Sequence, residues 1–244
     1  MYTLSLIFAF LIGLSLGLLG GGGSTLAVPV FVYVVGYDTK TAICLSLFVV
    51  GTASFFGSLK HWKNNNVDVK MALIFGPLAM LGAYLGARLA AFFSDAAQLT
   101  LFASIMLMAS FFMFTNKNQD THSGKVSLIA LAPQGLFVGI LSGLVGVGGG
   151  FLIVPSLVIF GKLSMKESVG TSLIIITMNS ITGVLGYLDQ VQVPWNFAFL
   201  FTGLAIIGIY TGSSLVNFIP QKKLKKAFAI FILVMGVFIL YSNL

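Results

Sequence analysis

Charge is what this sequence has least of: 8% of its 244 residues are charged, against 58% hydrophobic, and the mean hydropathy is +1.05. A soluble domain has too little polar surface to hide so much apolar area, so the solvent around most of the chain is lipid. Cysteine is nearly absent as well. Cys44 alone excludes an intrachain disulfide and a cysteine metal cluster, and in its apolar stretch it acts as a small hydrophobe. No basic residue precedes the first apolar run, which leads into glycines rather than a small-residue cleavage site; the amino terminus is expected to stay attached. Acidic residues and histidine avoid the middles of the apolar runs. Asp38, Asp95, Asp120, Glu167, Asp189, His61 and His122 fall in loops or at helix ends, which argues against a buried-carboxylate proton relay.

What remains is a series of apolar runs: Thr3 to Leu19, Thr41 to Leu59, Met71 to Phe93, Leu99 to Phe114, Ser127 to Val145, Ser168 to Leu188, Trp195 to Phe218 and Ala227 to Tyr241. Most approach or exceed the ~20 residues that span a bilayer as a helix, so the fold class is all-α and polytopic. The formal charge of +7 comes from bases scattered among short loops without interleaved aromatics. That pattern fits loops facing cytoplasm and anionic lipid, not a nucleic-acid groove. Trp62, Trp195 and Tyr187 stand where interfacial aromatic anchors are expected.

The chain repeats itself. Under a shift of 126, the stretch GLLGGGGSTLAVP from Gly17 to Pro29 aligns with GLVGVGGGFLIVP from Gly143 to Pro155, with identities at Gly17, Leu18, Gly20, Gly22, Gly23, Leu26, Val28 and Pro29. The register continues without a gap through Lys40 and Lys166, Ser46 and Ser172, Ser54 and Ser180, Gly82 and Gly208, to Gly86 and Gly212. One ungapped register over such a length marks two copies of one unit. The expected organisation is a first transmembrane repeat over residues 1–118, a linker over 119–126 and a second repeat over 127–244, together one membrane domain. Gly82 to Gly86 and Gly208 to Gly212 are GxxxG patterns; they predict close helix packing within the monomer and leave a homo-oligomer as the alternative.

Glycine costs about 1 kcal/mol relative to alanine inside a helix, so Gly20 to Gly23 and Gly146 to Gly150 are expected to break the backbone. The flanking pieces, Leu4 to Leu16 and Thr25 to Val35, are then about half a membrane long at roughly 1.5 Å per residue. They either continue one another as a long span or fold back as a hairpin. Loop charge arbitrates. In the hairpin arrangement each unit adds three full spans and the second unit is inverted. Eleven lysines then share one side against Lys40 and Arg88 on the other, whereas the long-span arrangement splits the 13 bases eight to five. Two inverted tandem repeats, each a broken half-helix hairpin plus three spans, is therefore the expected fold.

Inverted repeats with interrupted helices bring their breaks together near the midplane, where half-helix amino termini offer unpaired N–H groups and positive dipole ends to an anion. The candidate substrate-binding residues are Gly22, Gly23, Ser24 and Thr25 in the first copy and Gly148, Gly149, Gly150 and Phe151 in the second. Ser24 and Thr25 add hydroxyls that the second copy lacks. The alternative is that the glycines merely permit a tight helix crossing. GGGGST is not a P-loop, since the lysine is missing. Ser46 and Ser54 share a helix face that Ser58 extends, and Ser172 and Ser180 repeat the pair. With Asn179, and with Thr171, Thr177 and Thr182 nearby, they either line a pathway or bond between helices. Arg88, whose counterpart is Ser214, either snorkels or draws anions to a mouth. No catalytic or metal-ligating constellation is expected, and no cofactor.

The stretches GLSLGLLGGGGSTLAVPVF and GILSGLVGVGGGFLIVPSL resemble the paired motifs of the sulfite exporter TauE/SafE family of membrane permeases, and the resemblance extends over the whole chain. It implies movement of sulfur-containing anions such as sulfite or sulfonates. The residues by themselves lead only to a small anionic substrate in a lipid bilayer, carried by alternating access. An anion channel on the same scaffold and a non-transporting membrane scaffold stay open. An intramembrane serine protease using Ser24 has no histidine base ready beside it. The inverted arrangement makes a direct prediction: reporters fused to either chain end should both report the non-cytoplasmic side. A reporter active in the cytoplasm at either end would refute it.

Overall fold

The computed structural model describes residues 2–115, 128–145 and 148–243. The expected linker at 119–126, together with Gly146 and Val147 of the second glycine run, lies outside the described residues. Ten α-helices are found among them: α1 (Tyr2–Leu19), α2 (Gly22–Pro29), α3 (Thr39–Lys63), α4 (Val69–Leu89), α5 (Asp95–Thr115), α6 (Leu128–Val145), α7 (Gly150–Ile159), α8 (Met165–Tyr187), α9 (Trp195–Leu215) and α10 (Gln221–Asn243). Six of these, α3, α4, α5, α8, α9 and α10, are long and apolar enough to cross a membrane. The chain is an all-α, multi-pass membrane protein.

Local chemistry sets the helix ends. Asp38 accepts from Thr41 N at 3.0 Å to start α3, and Asp68 accepts from Met71 N at 2.9 Å to start α4. Ser164 and Glu167 form a reciprocal capping box at α8, which supplies two of the donors that a helix start leaves free. Pro29 cannot donate a backbone hydrogen bond, and α2 widens beyond it into a π-helical turn, Val30–Val35, that stops at left-handed Gly36.

The first glycine run breaks the backbone over a shorter stretch than the sequence suggests. Gly20, at φ 63°, reverses the chain, whereas Gly22 and Gly23 already belong to α2. In the second run Gly148 and Gly149 take φ of 60° and 75°, and Gly150 is helical. The glycines also serve close approach. A Cβ on Gly23 would collide with the Ile12 carbonyl and Leu16 backbone of α1, and one on Gly149 would lie 2.8 Å from Ser142 Oγ of α6. Each short helix thus folds back along its predecessor as a hairpin. α1 itself runs through Gly17 to Leu19 and exceeds the expected Leu4 to Leu16, because Gly13 and Gly17 face a neighbouring backbone that replaces the packing a side chain would give.

That neighbour belongs to the other half of the chain. α1 packs along α9, and α6 along α4. A Cβ on Gly13 would strike the Ala205 carbonyl and one on Gly139 the Ala79 carbonyl; Gly208 meets the Phe10 carbonyl as Gly82 meets the Leu136 carbonyl. Every member of these pairs is matched by a residue 126 positions away. The GxxxG glycines therefore pack inside the monomer. α3 lies against α8 at the centre, and these are the most buried of the six long helices, at 72% and 61% of their apolar windows. α5 pairs with α10 outside them. Leu73, Leu81, Phe111, Phe112, Phe199, Ile207, Val234 and Phe238 turn outward on α4, α5, α9 and α10, an apolar exterior that requires lipid.

Tyr187 corrects an expectation. It is fully buried, and its hydroxyl donates to the Leu144 carbonyl at 3.2 Å, so it is no interfacial anchor; α6 covers the end of α8 where the sequence suggests a surface. Trp62 and Trp195 are exposed, 54% and 40%. Replacing Gly13 or Gly139 by leucine should lower the thermal midpoint in detergent by the equivalent of about 1–3 kcal/mol or more, the usual cost of overpacking. Gly203→Ala, at a site with open space around it, should be neutral or mildly stabilising. Equal midpoints for all three variants would contradict the packing described.

Candidate functional site

The two chain reversals meet. A Cβ on Gly21 would fall on the Gly150 carbonyl, and one on Gly150 would touch the Gly21 Cα and come within 3.2 Å of Ser24 Oγ. The starts of α2 and α7 therefore lie side by side, and neither is capped by a side chain. Early N–H groups of a helix have no partner within the helix, and the backbone dipoles add positive potential there.

Around this point stand side chains from both halves. A Cβ on Gly20 would lie 2.7 Å from Ser172 Oγ of α8 and 3.2 Å from Val154 of α7; one on Gly148 would lie 3.1 Å from Ser180 Oγ of α8 and 3.5 Å from Val50 of α3. Ser180 also sits against Gly51 of α3. The two long central helices thus bracket the breaks.

The candidate residues divide by what they bond. Ser24 and Thr25 are buried, but their hydroxyls donate to the carbonyls of Gly21 and Gly22 at 2.6 Å, so they hold the turn and have no proton free for an anion. Phe151 packs its ring against Phe102 of α5, 5.5 Å between centroids, and only its backbone belongs to the break. Ser172 donates to the Val169 carbonyl at 2.8 Å. By contrast Ser46, Ser54, Ser180 and both side-chain atoms of Asn179 are buried without a hydrogen-bond partner. The threonines do the interhelical bonding: Thr171 Oγ1 accepts from Asp68 N at 2.9 Å, and Thr182 donates to the Met80 carbonyl at 3.0 Å. Thr177 reaches the Gly51 carbonyl at 3.4 Å. The interhelical reading of the polar face therefore holds for the threonines, whereas Ser46, Ser54, Asn179 and Ser180 bond to no neighbouring helix. A buried amide with nothing to bond costs about 1–3 kcal/mol, so Asn179 is an expensive residue for structure alone.

Several polar groups here were not singled out from the sequence. Ser142, Ser168 and Ser213 are buried and unpartnered. So is Nδ1 of His61, a residue at the end of α3 that is nonetheless 0% exposed, with Nε2 3.3 Å from the Gly17 carbonyl. Its place at a helix end suggests a loop-facing histidine, but α1 and α8 close over it. Gln98 joins Tyr187 on the Leu144 carbonyl, at 3.2 Å. The usable signal was small polar residues inside apolar runs. Arg88 pairs with Asp189 at 3.0 Å on the surface, so it does not reach this centre. Away from the centre, an open groove of about 580 Å³ lies between Tyr37–Thr41 and Gln190–Pro194, with Lys40 in its lining. No group of acidic, histidine or cysteine side chains among the described residues is arranged to hold a metal.

Short helices that break inside a lipid-facing helical bundle, with the unpaired hydroxyls of Ser142 and Ser180 against the breaks, define a polytopic membrane protein of the broken-helix type. The chain belongs to the sulfite exporter TauE/SafE family, whose model matches residues 5–239. It is similar to the probable membrane transporter protein YdhB of Bacillus subtilis, 26% identical over 98% of this chain and 100% of that protein. A probable membrane transporter protein of Xylella fastidiosa is 28% identical over 96% and 92% of the two chains. The probable membrane transporter protein MJ0441 of Methanocaldococcus jannaschii is 31% identical over 76% and 72%. These relatives are named as transporters, not enzymes. No solved structure matches the chain. Because Asn179 has no protein partner, Asn179→Leu should leave the thermal midpoint unchanged or raise it; a large fall would show that the amide is structural.

Proposed function

We propose that this protein carries a small, sulfur-containing anion such as sulfite or an organosulfonate across the membrane, by alternating access of its two halves around the meeting point of the glycine breaks. The observation that carries this reading is the apposition of Gly21 and Gly150, which sets two uncapped helix starts side by side beneath unpartnered side chains of α3 and α8. An oxyanion takes only donors. Backbone N–H groups at Gly22, Gly23 and Gly150, the amide of Asn179 and the hydroxyls of Ser46, Ser54 and Ser180 supply donors without a fixed positive charge. A site of that kind binds an anion firmly enough to recognise it and weakly enough to release it. Glycine permits the anion to approach the backbone closely.

The family contributes the sulfur chemistry; the geometry by itself supports only a compact oxyanion. Exchange of packing surfaces between halves, α1 on α9 and α6 on α4, supports a rocking motion in which the GxxxG seams act as units and the α3–α8 contact changes. Lys40 in the open groove would raise the local concentration of anions at one mouth.

The test is flux of labelled sulfite, sulfate and short sulfonates in proteoliposomes, with counterflow measured in parallel. Saturable, anion-competed flux with counterflow is expected; fast flux without counterflow would identify a channel. Gly148→Val places a branched side chain at φ 60° against Ile176 and Ser180, and Gly22→Val places one against Leu19. Each should reduce flux at least tenfold while the protein still inserts. Unimpaired flux in both would refute the site. Asn179→Leu should weaken anion binding by about 1–3 kcal/mol.

A further inference from the structure

His61 and Tyr187 are the same position in the two halves, 126 residues apart, and they do the same thing. Each is fully buried at the end of a central helix, and each reaches a carbonyl in the last turn of the neighbouring short helix: His61 Nε2 to Gly17 at 3.3 Å, Tyr187 Oη to Leu144 at 3.2 Å. They differ in one respect. A phenol has no proton to exchange in the physiological range, whereas an imidazole does.

The carbonyl settles the tautomer. An oxygen acceptor requires a proton on Nε2, so in the neutral ring Nδ1 carries the lone pair, and that atom is buried with no partner. A proton reaching Nδ1 would create a cation in a dry interior, which is costly unless an anion lies near. The ring sits where one is expected. Gly17 is one turn before the reversal at Gly20, and Gly170, whose Cβ position lies 3.1 Å from the His61 Cβ, is two residues from Ser172, which abuts Gly20.

The charges on the elements packed around His61 are few, and the structure pairs His61 with none of them. α1, α2 and α9 contain no Asp, Glu, Lys, Arg or His. On α9, Tyr210 lies beneath the Lys60 ammonium, 5.7 Å from the ring centroid. On α8 the charged residues are Lys166 and Glu167, and Glu167 accepts from Ser164 N. At the start of α4, Asp68 accepts from Met71 N, and Lys70 and Arg88 lie on that helix; Lys40, Lys60 and Lys63 are the cations of α3 itself.

We propose that a proton is the coupling ion of the transport reading above, on which this inference rests, and that it is bound at His61 Nδ1 when the anion occupies the glycine breaks. Proton and anion then stabilise one another and move in the same direction as a neutral pair. Tyr187 keeps the packing and the carbonyl bond in the other half but cannot take the proton, so one proton travels per anion.

The experiment uses methanesulfonate, whose charge is constant over the range tested, in proteoliposomes loaded with a pH-sensitive dye. In wild type, an inward methanesulfonate gradient should acidify the lumen, and flux at about pH 5 should exceed that at about pH 8 by roughly tenfold. His61→Gln can keep the bond to the Gly17 carbonyl. It should retain methanesulfonate counterflow at equal pH while losing lumen acidification, and its flux ratio should fall to about one. Acidification of wild-type size in this variant would overturn the proposal, and so would wild-type flux without proton movement. Should the variant fail to fold, nitrogen NMR of the wild-type histidine in lipid nanodiscs replaces it: added methanesulfonate should shift the ring towards imidazolium at fixed pH, and an unchanged ring would refute the coupling. A chain that moves and binds no anion removes the transport reading and the inference together, whereas anion flux without protons removes the inference alone.

Discussion

Everything in this molecule answers to the rule that a backbone N–H or C=O facing hydrocarbon must be bonded within its own helix. A chain reversal in the middle of a bundle breaks that rule, and it survives only where protein surrounds it. α3 and α8 supply the enclosure, which is why they are the most buried of the long helices and why their inward faces are rich in serine, threonine and glycine rather than leucine. The peripheral helices α4, α5, α9 and α10 then carry the lipid-facing apolar residues.

Within that enclosure the two halves are alike in packing and unlike in polarity. The glycine contacts of α1 on α9 repeat those of α6 on α4 residue by residue, because backbone-to-backbone approach tolerates no variation. The polar positions drift. Ser24 faces the place where the second half has Gly150, Asn179 stands opposite Ala53 in the register, and Tyr187 replaces His61.

The spans were legible because apolar runs of full membrane length have a single cheap structure: Met71 to Phe93 became α4 and a closing 3₁₀ turn, and Trp195 to Phe218 did the same. The glycine breaks were legible as a region but not as residues, since glycine serves equally for positive φ, as at Gly20 and Gly148, and for close approach inside a helix, as at Gly23. Hydroxyl roles were not legible at all. Whether Ser24 donates to its own turn or Ser46 to nothing depends on rotamers and neighbours that no spacing encodes. His61 and Tyr187 were misplaced for one reason: the end of a helix is read as its wet end, whereas here the last turn of a short neighbouring helix covers it.

The exchange of partners between the halves has a consequence for how the protein is made. α1 leaves the ribosome well before α9, whose backbone it is shaped to touch. Until then the notched face at Gly13 and Gly17 has no permanent cover. The face of α1 must therefore wait, sheltered by the insertion machinery or by provisional neighbours, until α9 is made, and a chain cut before α9 is left with an open seam.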